Sequence, residues 1–317
     1  MTPLTPHKHD NMLDQKQDPR PTDELIALAL AERDQERRWV LVGILRLRPT
    51  REVLEAALRL CEGRTAKERV LGADILSQLG VCEPHFHLVD GKTVYDLSLP
   101  ASDKVFCFEE RSAALIRLLA DQRVTVIAAA ATGLGHIRDS RGVEPLVPLK
   151  SHPSAQVRYA VVFGLLTQED ERAIEALIEL SEDSDEEVRD WATFGLGSQI
   201  DVDTPAIRDA LFRRLRDPNL EARGEAMVGL ARRKDSRVFE PLCEELHQGN
   251  IGVLSLEAAL ELADPRLSHL LDGLKERWIA DGRGWDSLWD SYLVDAMAAC
   301  AATAPPPMPA SASASSA

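Results

Sequence analysis

Apolar positions along residues 109–276 recur in one frame. The run Val157-Arg158-Tyr159-Ala160-Val161-Val162-Phe163-Gly164-Leu165 returns 31 residues later as Val188-Arg189-Asp190-Trp191-Ala192-Thr193-Phe194-Gly195-Leu196. The same frame is legible from Ala222 to Leu230 and, upstream, from Val126 to Leu134. With the first residue of each run as position 0, apolar residues occupy 0, +4 and +8 (Val188, Ala192, Leu196; Ala222, Ala226, Leu230), the spacing of one buried stripe on an α-helix. The segment before each run carries its own stripe, as in Ala173 to Leu180, and ends near Asp183, after which Ser184 or Asp185 can cap the next helix. A second motif opens the units: Asp139-Ser140-Arg141, Asp170-Glu171-Arg172, Asp235-Ser236-Arg237 and Asp264-Pro265-Arg266 follow at intervals of 29 to 33 residues when Asp203 is taken as the divergent copy. Each unit therefore reads as helix, turn, helix. A unit this short cannot bury its stripe alone and must stack on its neighbours. Glycine at +7 (Gly133, Gly164, Gly195, Gly229) costs about 1 kcal/mol of helix propensity each time. Its repetition predicts close approach of a neighbouring helix.

Outside the array the pattern changes. Residues 23–80 keep the helical period in two degenerate repeats, and residues 81–108, with Pro84, Gly91 and Pro100, lose it and read as an insertion loop. Residues 277–301 hold Trp285 and Trp289 beside Trp278 and read as a helix capping the last repeat. Residues 1–22 and the Ala/Ser/Pro-rich 302–317 carry no stripe and are expected to be disordered tails.

Charge narrows the classes of partner. Lys and Arg number 37 against 52 Asp and Glu, a net charge of −15, and a broad phosphate-binding surface needs the opposite balance. No nucleic-acid partner is expected, and the basic cluster Arg213, Arg214, Arg216, Arg232, Arg233 and Lys234 reads as pairing within the chain or with a partner. The five cysteines are scattered and form no C-x-x-C pair, as in a reducing compartment. No export signal and no apolar run of about 18 residues is present, so a cytoplasmic protein without a membrane partner is expected.

The repeated frame, with an Asp six residues before an Arg in Asp183/Arg189 and Asp217/Arg223, resembles HEAT repeats of the phycobilisome-lyase-like subtype. The resemblance implies a right-handed α-solenoid of about seven HEAT-like hairpins. It also implies a structural ladder formed by Asp183, Arg189, Asp217 and Arg223. His152 stands in place of the Asp before Arg158, and Ile127 in place of the Arg after Asp121, so the ladder is expected to break there. A related di-iron hydroxylase branch holds its metal with His-Glu dipeptides, and this chain has none.

Signatures of catalysis are missing: there is no P-loop, Gly-x-Gly-x-x-Gly, Gly-x-Ser-x-Gly or His-Glu-x-x-His. No catalytic residue and no cofactor are assigned. Cys82, His85, His87 and Asp90 could converge on a transition metal, although scattered polar residues of a surface loop would look the same. Positions +2, +3 and +6 point away from the stripe, toward the concave side of a HEAT array. Tyr159, Phe163, Trp191 and Phe194 occupy them beside Arg158, Arg189 and Asp190, a patch suited to a protein or peptide partner. Alternatively, Phe163 and Phe194 wedge between helices. The functional expectation is a non-enzymatic scaffold or adaptor. The subtype's name implies, as the alternative, a lyase or chaperone-lyase acting on a tetrapyrrole-carrying protein.

Overall fold

A computed structural model of the chain describes residues 18–80, 85–89, 92–96, 106–248, 251–280, 282 and 288–302. The described residues form two compact units divided after Leu180.

The first unit opens with four helices, α1 (Thr22–Ala31), α2 (Gln35–Arg46), α3 (Arg51–Cys61) and α4 (Ala66–Gln78). α1 packs on α2, and α3 on α4. Asp34, Thr50 and Thr65 cap α2, α3 and α4 by accepting backbone N–H groups, and Thr65 and Glu68 complete a reciprocal capping box. Two strands follow, β1 (His85–Val89) and β2 (Lys92–Asp96), paired antiparallel with His85 opposite Asp96. The segment expected to be a loop thus contains a hairpin, built on the β-prone Thr93-Val94-Tyr95. The unit continues with α5 (Phe108–Leu118), α6 (Val124–Ile137), the short α7 (Val143–Leu146) between 3-10 turns, α8 (Ala155–Leu165) and α9 (Glu171–Leu180). The second helices α2, α4, α6 and α8 pack side by side, and α1, α3 and α5 form the other layer.

Arg111, the largest fully buried side chain, ties off the insertion. Its guanidinium donates to the carbonyls of Leu76 (2.7 Å) and Ser77 (3.1 Å) on one stem and of Phe106 (3.1 Å) on the other. The amino-terminal boundary differs from expectation. Arg48 donates to the carbonyls of Arg20 (2.7 Å) and Asp18, and Thr22 is a buried residue of α1. Residues 18–22 are therefore docked rather than part of a loose tail; residues 1–17 and 303–317 lie outside the described residues.

The second unit comprises α10 (Glu186–Phe194) with a π-turn over Gly195–Gln199, α11 (Pro205–Arg214), α12 (Leu220–Arg232), α13 (Phe239–Gln248), α14 (Val253–Leu262), α15 (Ser268–Ala280) and α16 (Leu288–Ala302). Here α10, α12, α14 and α16 pack in order, and α13 packs on α15. The expected cap at 277–301 begins inside α15, where Trp278 is buried, and α16 stacks on α14 as one more second helix.

The recurring motifs now have local causes. In each Asp-x-Arg copy the carboxylate accepts the backbone N–H and the guanidinium of the Arg two residues on, closing a turn at the mouth of the first helix: the shortest contacts are 2.6 Å for Asp139–Arg141, 2.9 Å for Asp170–Arg172, 2.7 Å for Asp235–Arg237 and 2.6 Å for Asp264–Arg266. The stripe residues Val157, Val161, Leu165, Val188, Ala192, Leu196, Ala222, Ala226 and Leu230 are all fully buried. The close approach is met on α12, where a methyl on Gly229 would lie 2.6 Å from the Gly197 Cα.

Candidate functional site: the face of the second helices

Arg189 of α10 donates through Nε and Nη2 to the Asp217 carboxylate (3.0 and 3.3 Å) and through Nη1 to the Asp183 carbonyl (2.8 Å). Arg223 repeats the inner half of this pattern on the Asp217 carbonyl (2.8 Å), and its Nε reaches Glu245 at 3.4 Å. The ladder thus differs from the six-residue pairing read in the sequence: within a repeat the arginine takes a main-chain carbonyl, and the Asp217 carboxylate takes the arginine of the preceding repeat. For that reason His152 leaves the inner contact of Arg158 intact, at 2.9 Å to the His152 carbonyl. Asp121, expected to end the ladder, accepts Arg69 of α4 at 2.6 and 3.1 Å. Burial works against ionisation of Asp217, but the bonds from Arg189 and the Asn219 N–H, with Arg214 at 3.0 Å, hold its carboxyl below the usual range.

These contacts redistribute the expected partner residues. Arg158, Tyr159 and Phe163 lie on α8 of the first unit, and Arg189, Asp190, Trp191 and Phe194 on α10 of the second. Arg189 is only 13% exposed and turned to the ladder, so its charge is not available to a partner. Phe163 is half-buried; its ring meets His136 edge-on at 5.2 Å, and a methyl on Gly135 would strike its carbonyl at 2.4 Å. It wedges between α6 and α8. Burial, aided by Arg46 and Arg138, pushes His136 down to about 4. Trp191 and Phe194, both half-buried, pack edge-to-face at 5.6 Å. Of the weak metal candidates, Cys82 and Asp90 lie outside the described residues, and His85 and His87 are two apart on β1. Among the described residues no group of three or more His, Cys, Asp and Glu could hold a metal ion.

Asp190, part of the expected patch, is joined beside the α10 aromatics by Glu225 of α12, which the sequence reading missed. Burial, reinforced by Glu221, Asp217 and Glu187, raises Asp190 to about 6. Burial raises Glu225 of α12 to about 7, with Glu257 and Asp190 adding to the shift; the Ser198 hydroxyl, donating to Oε2 at 2.8 Å, and Arg232 work against it. Among the described residues neither carboxyl has an ion-pair partner. Arg232, on the same helix as Glu225, is spent on Glu257 (2.9 Å), Glu261 (3.5 Å) and the Ser198 carbonyl (3.2 Å). Glu225 stands at +3, as Trp191 does, so the rule applied to the aromatics would have found it. Most of the basic cluster is likewise spent internally: Arg213 pairs with Glu182 at 2.6 Å, Arg214 with Asp217, and Lys234 with the carbonyls of Glu261 and Leu262.

The family model for HEAT repeats matches residues 112–197 and 174–263. Protein YibA of Escherichia coli K12 is 31% identical over 266 residues, covering 79% of this chain and 83% of that protein. This chain belongs to the HEAT-repeat family of YibA. The X-ray structure of E. coli YibA superposes with a TM-score of 0.68 at 24% identity over 94% of this chain and 99% of that one. The S. pombe condensin Cnd3–Cnd2 subcomplex gives a TM-score of 0.52 at 13% identity, over 96% of this chain and 47% of that one. The fold is thus the helical solenoid of HEAT-repeat proteins. No helix among the described residues is long and apolar enough to cross a membrane.

A stability test follows from Glu225. Its folded carboxyl titrates near 7 against an ordinary 4.5, so the stability it confers when protonated is complete below about pH 4.5 and is lost as pH rises through 7. Glu225→Gln, which keeps an acceptor for Ser198 and cannot ionise, is expected to be more stable than the parent by on the order of 2 kcal/mol at pH 8 and equal to it near pH 4.5. Urea titrations at both pH values measure the difference. The same difference at both would mean that the carboxyl is solvated.

Proposed function

We propose that this HEAT-repeat protein is a non-enzymatic scaffold that holds a segment of a protein partner on the second-helix face of its repeats. The observation that carries this reading is the half-buried Trp191–Phe194 pair with the carboxyls of Asp190 and Glu225 beside it. An aromatic pair of this kind offers rigid apolar area at little entropic cost, and desolvated polar groups around it favour an anchored residue over passing solvent. Membership of the HEAT family supports the reading at the level of the fold.

Affinity capture from the native host with crosslinking mass spectrometry tests it. Loss of an interface anchor costs about 2 kcal/mol or more, roughly a thirtyfold weakening, so Trp191→Ala is expected to lose the captured partner. Phe212 of α11 is more exposed, at 41%, and lies under Arg237 on the other layer. Phe212→Ala is expected to retain the partner. Equal capture by Trp191→Ala and the parent, with unchanged melting, would sink the proposal.

A further inference from the structure

We infer that the segment held by the second unit is cationic, placing a lysine or arginine between Asp190 and Glu225 and an apolar neighbour on Trp191 and Phe194. The inference rests on the partner-binding reading above and specifies its chemistry. Charge complementarity carries it. The groups facing this spot are Glu187 and Asp190 from α10, Asp217 from the turn before α12, Glu221, Glu225 and Arg232 from α12, and Glu257 from α14. Asp217 is saturated by Arg189 and Arg214, and Glu257 by Arg232. Among the described residues Asp190 and Glu225 remain as desolvated carboxyls without an ion-pair partner, and Arg232, whose charge reaches Glu225, pairs with Glu257 and Glu261 of α14.

An entering ammonium or guanidinium would supply the missing counter-charge. Its aliphatic stem can lie along the indole and phenyl rings, a contact that long basic side chains make well. An acidic segment would instead meet Glu187, Asp190, Glu221 and Glu225 together, so the same surface rejects anionic partners. The elevated carboxyls agree with this arrangement: burial and the neighbouring carboxylates raise both, and a bound cation would draw each back toward ionisation.

Fluorescence anisotropy with the full-length protein and three labelled ten-residue peptides, alternating Leu with Lys, Gln or Glu, tests the inference at pH 8 in 0.15 M salt. The Lys–Leu peptide is expected to bind at least tenfold more tightly than the Gln–Leu peptide, and the Glu–Leu peptide not at all. The paired substitution Asp190→Asn with Glu225→Gln is expected to weaken Lys–Leu binding tenfold or more. A charge-matched pair at exposed positions of the first unit, Glu36→Gln with Glu52→Gln, is expected to change it less than twofold, which separates the site from the general pull of a chain carrying −15. Lowering the pH from 8 to 5 is expected to weaken binding by a further tenfold or more in the parent and hardly at all in the Asn/Gln pair. Absence of Lys–Leu binding, equal binding of Gln–Leu, or equal loss in the exposed pair overturns the cationic inference. If in that case Trp191→Ala still loses the captured partner, the partner site stands and only its charge chemistry falls. If Trp191→Ala captures like the parent, the site itself falls, whatever the peptides do.

Discussion

Ala192→Asp is expected to lower the melting temperature by on the order of 10 °C. Ala192 sits at +4 of α10, fully buried, between Val188 and Leu196, which are equally buried. The +4 position is fully buried on each second helix of the array, as Ala130 on α6, Val161 on α8, Ala192 on α10 and Ala226 on α12. A carboxyl there must either stay ionised in an apolar contact or take up a proton and remain without hydrogen-bond partners; both cost several kcal/mol. For a unit of this size each kcal/mol shifts the midpoint by a few degrees. Asp190→Asn, two residues away on the face turned from the stripe, serves as the comparison and is expected to melt at or above the parent. A shift for Ala192→Asp of under 2 °C in calorimetry would mean that α10 is out of register.

The contrast between Ala192 and Asp190 shows which parts of this protein are readable in the chain. Every repeat buries the same positions, so burial is written as periodicity, and the stripe, the Asp-x-Arg turns and the +7 glycines all emerge by comparing the chain with itself. The degenerate hairpins α1 to α4 keep the period because they, too, must bury one face, although the motif has eroded. Interactions that run from one repeat to the next are harder to see. The rung between Arg69 and Asp121 joins residues 52 positions apart, and nothing local to either marks the pair. The chemistry of the candidate site is hidden for a related reason. Arg232 is close to Glu225 in sequence, yet its guanidinium serves Glu257 and Glu261 on the next helix. Whether a carboxyl is left without a cation depends on where each neighbouring cation is drawn, and spacing carries no record of that competition. Main-chain acceptors are invisible for the simplest reason: every residue has one, so neither the hook of Arg48 on residues 18 and 20 nor the collar of Arg111 leaves a sequence signature.

Arg233 is the strongest instance, and Arg233→Met is expected to destabilise the protein by about 4 kcal/mol. The side chain is only 6% exposed. Its Nη1 donates to the carbonyls of Gly197 (3.2 Å) and Gly229 (3.0 Å), and its Nη2 to those of Leu196 (2.9 Å), Ile200 (2.7 Å) and Val202 (3.1 Å). Four of these belong to the π-turn that ends α10 and to the segment just beyond it, where helix geometry leaves carbonyls without N–H partners. A methyl on Gly229 would lie 2.6 Å from the Gly197 Cα, so the two backbones meet here without side chains between them. One guanidinium therefore satisfies what several residues would otherwise have to supply, while Asp203, 3.8 Å from Nε, faces its charge. Methionine preserves the stem and the packing but strands these acceptors, each costing about 1 to 3 kcal/mol when buried and unpaired, with partial relief as the turn opens. Arg233→Lys, with three donors on one atom, is expected to recover less than half of the loss, because an ammonium cannot span carbonyls arranged around a planar fork. Urea titration followed by tryptophan fluorescence gives the free energies, and hydrogen exchange is expected to quicken first at residues 195–202. A loss under 1 kcal/mol for Arg233→Met, or a lysine variant as stable as the parent, would show that bulk positive charge rather than the forked geometry closes the end of α10.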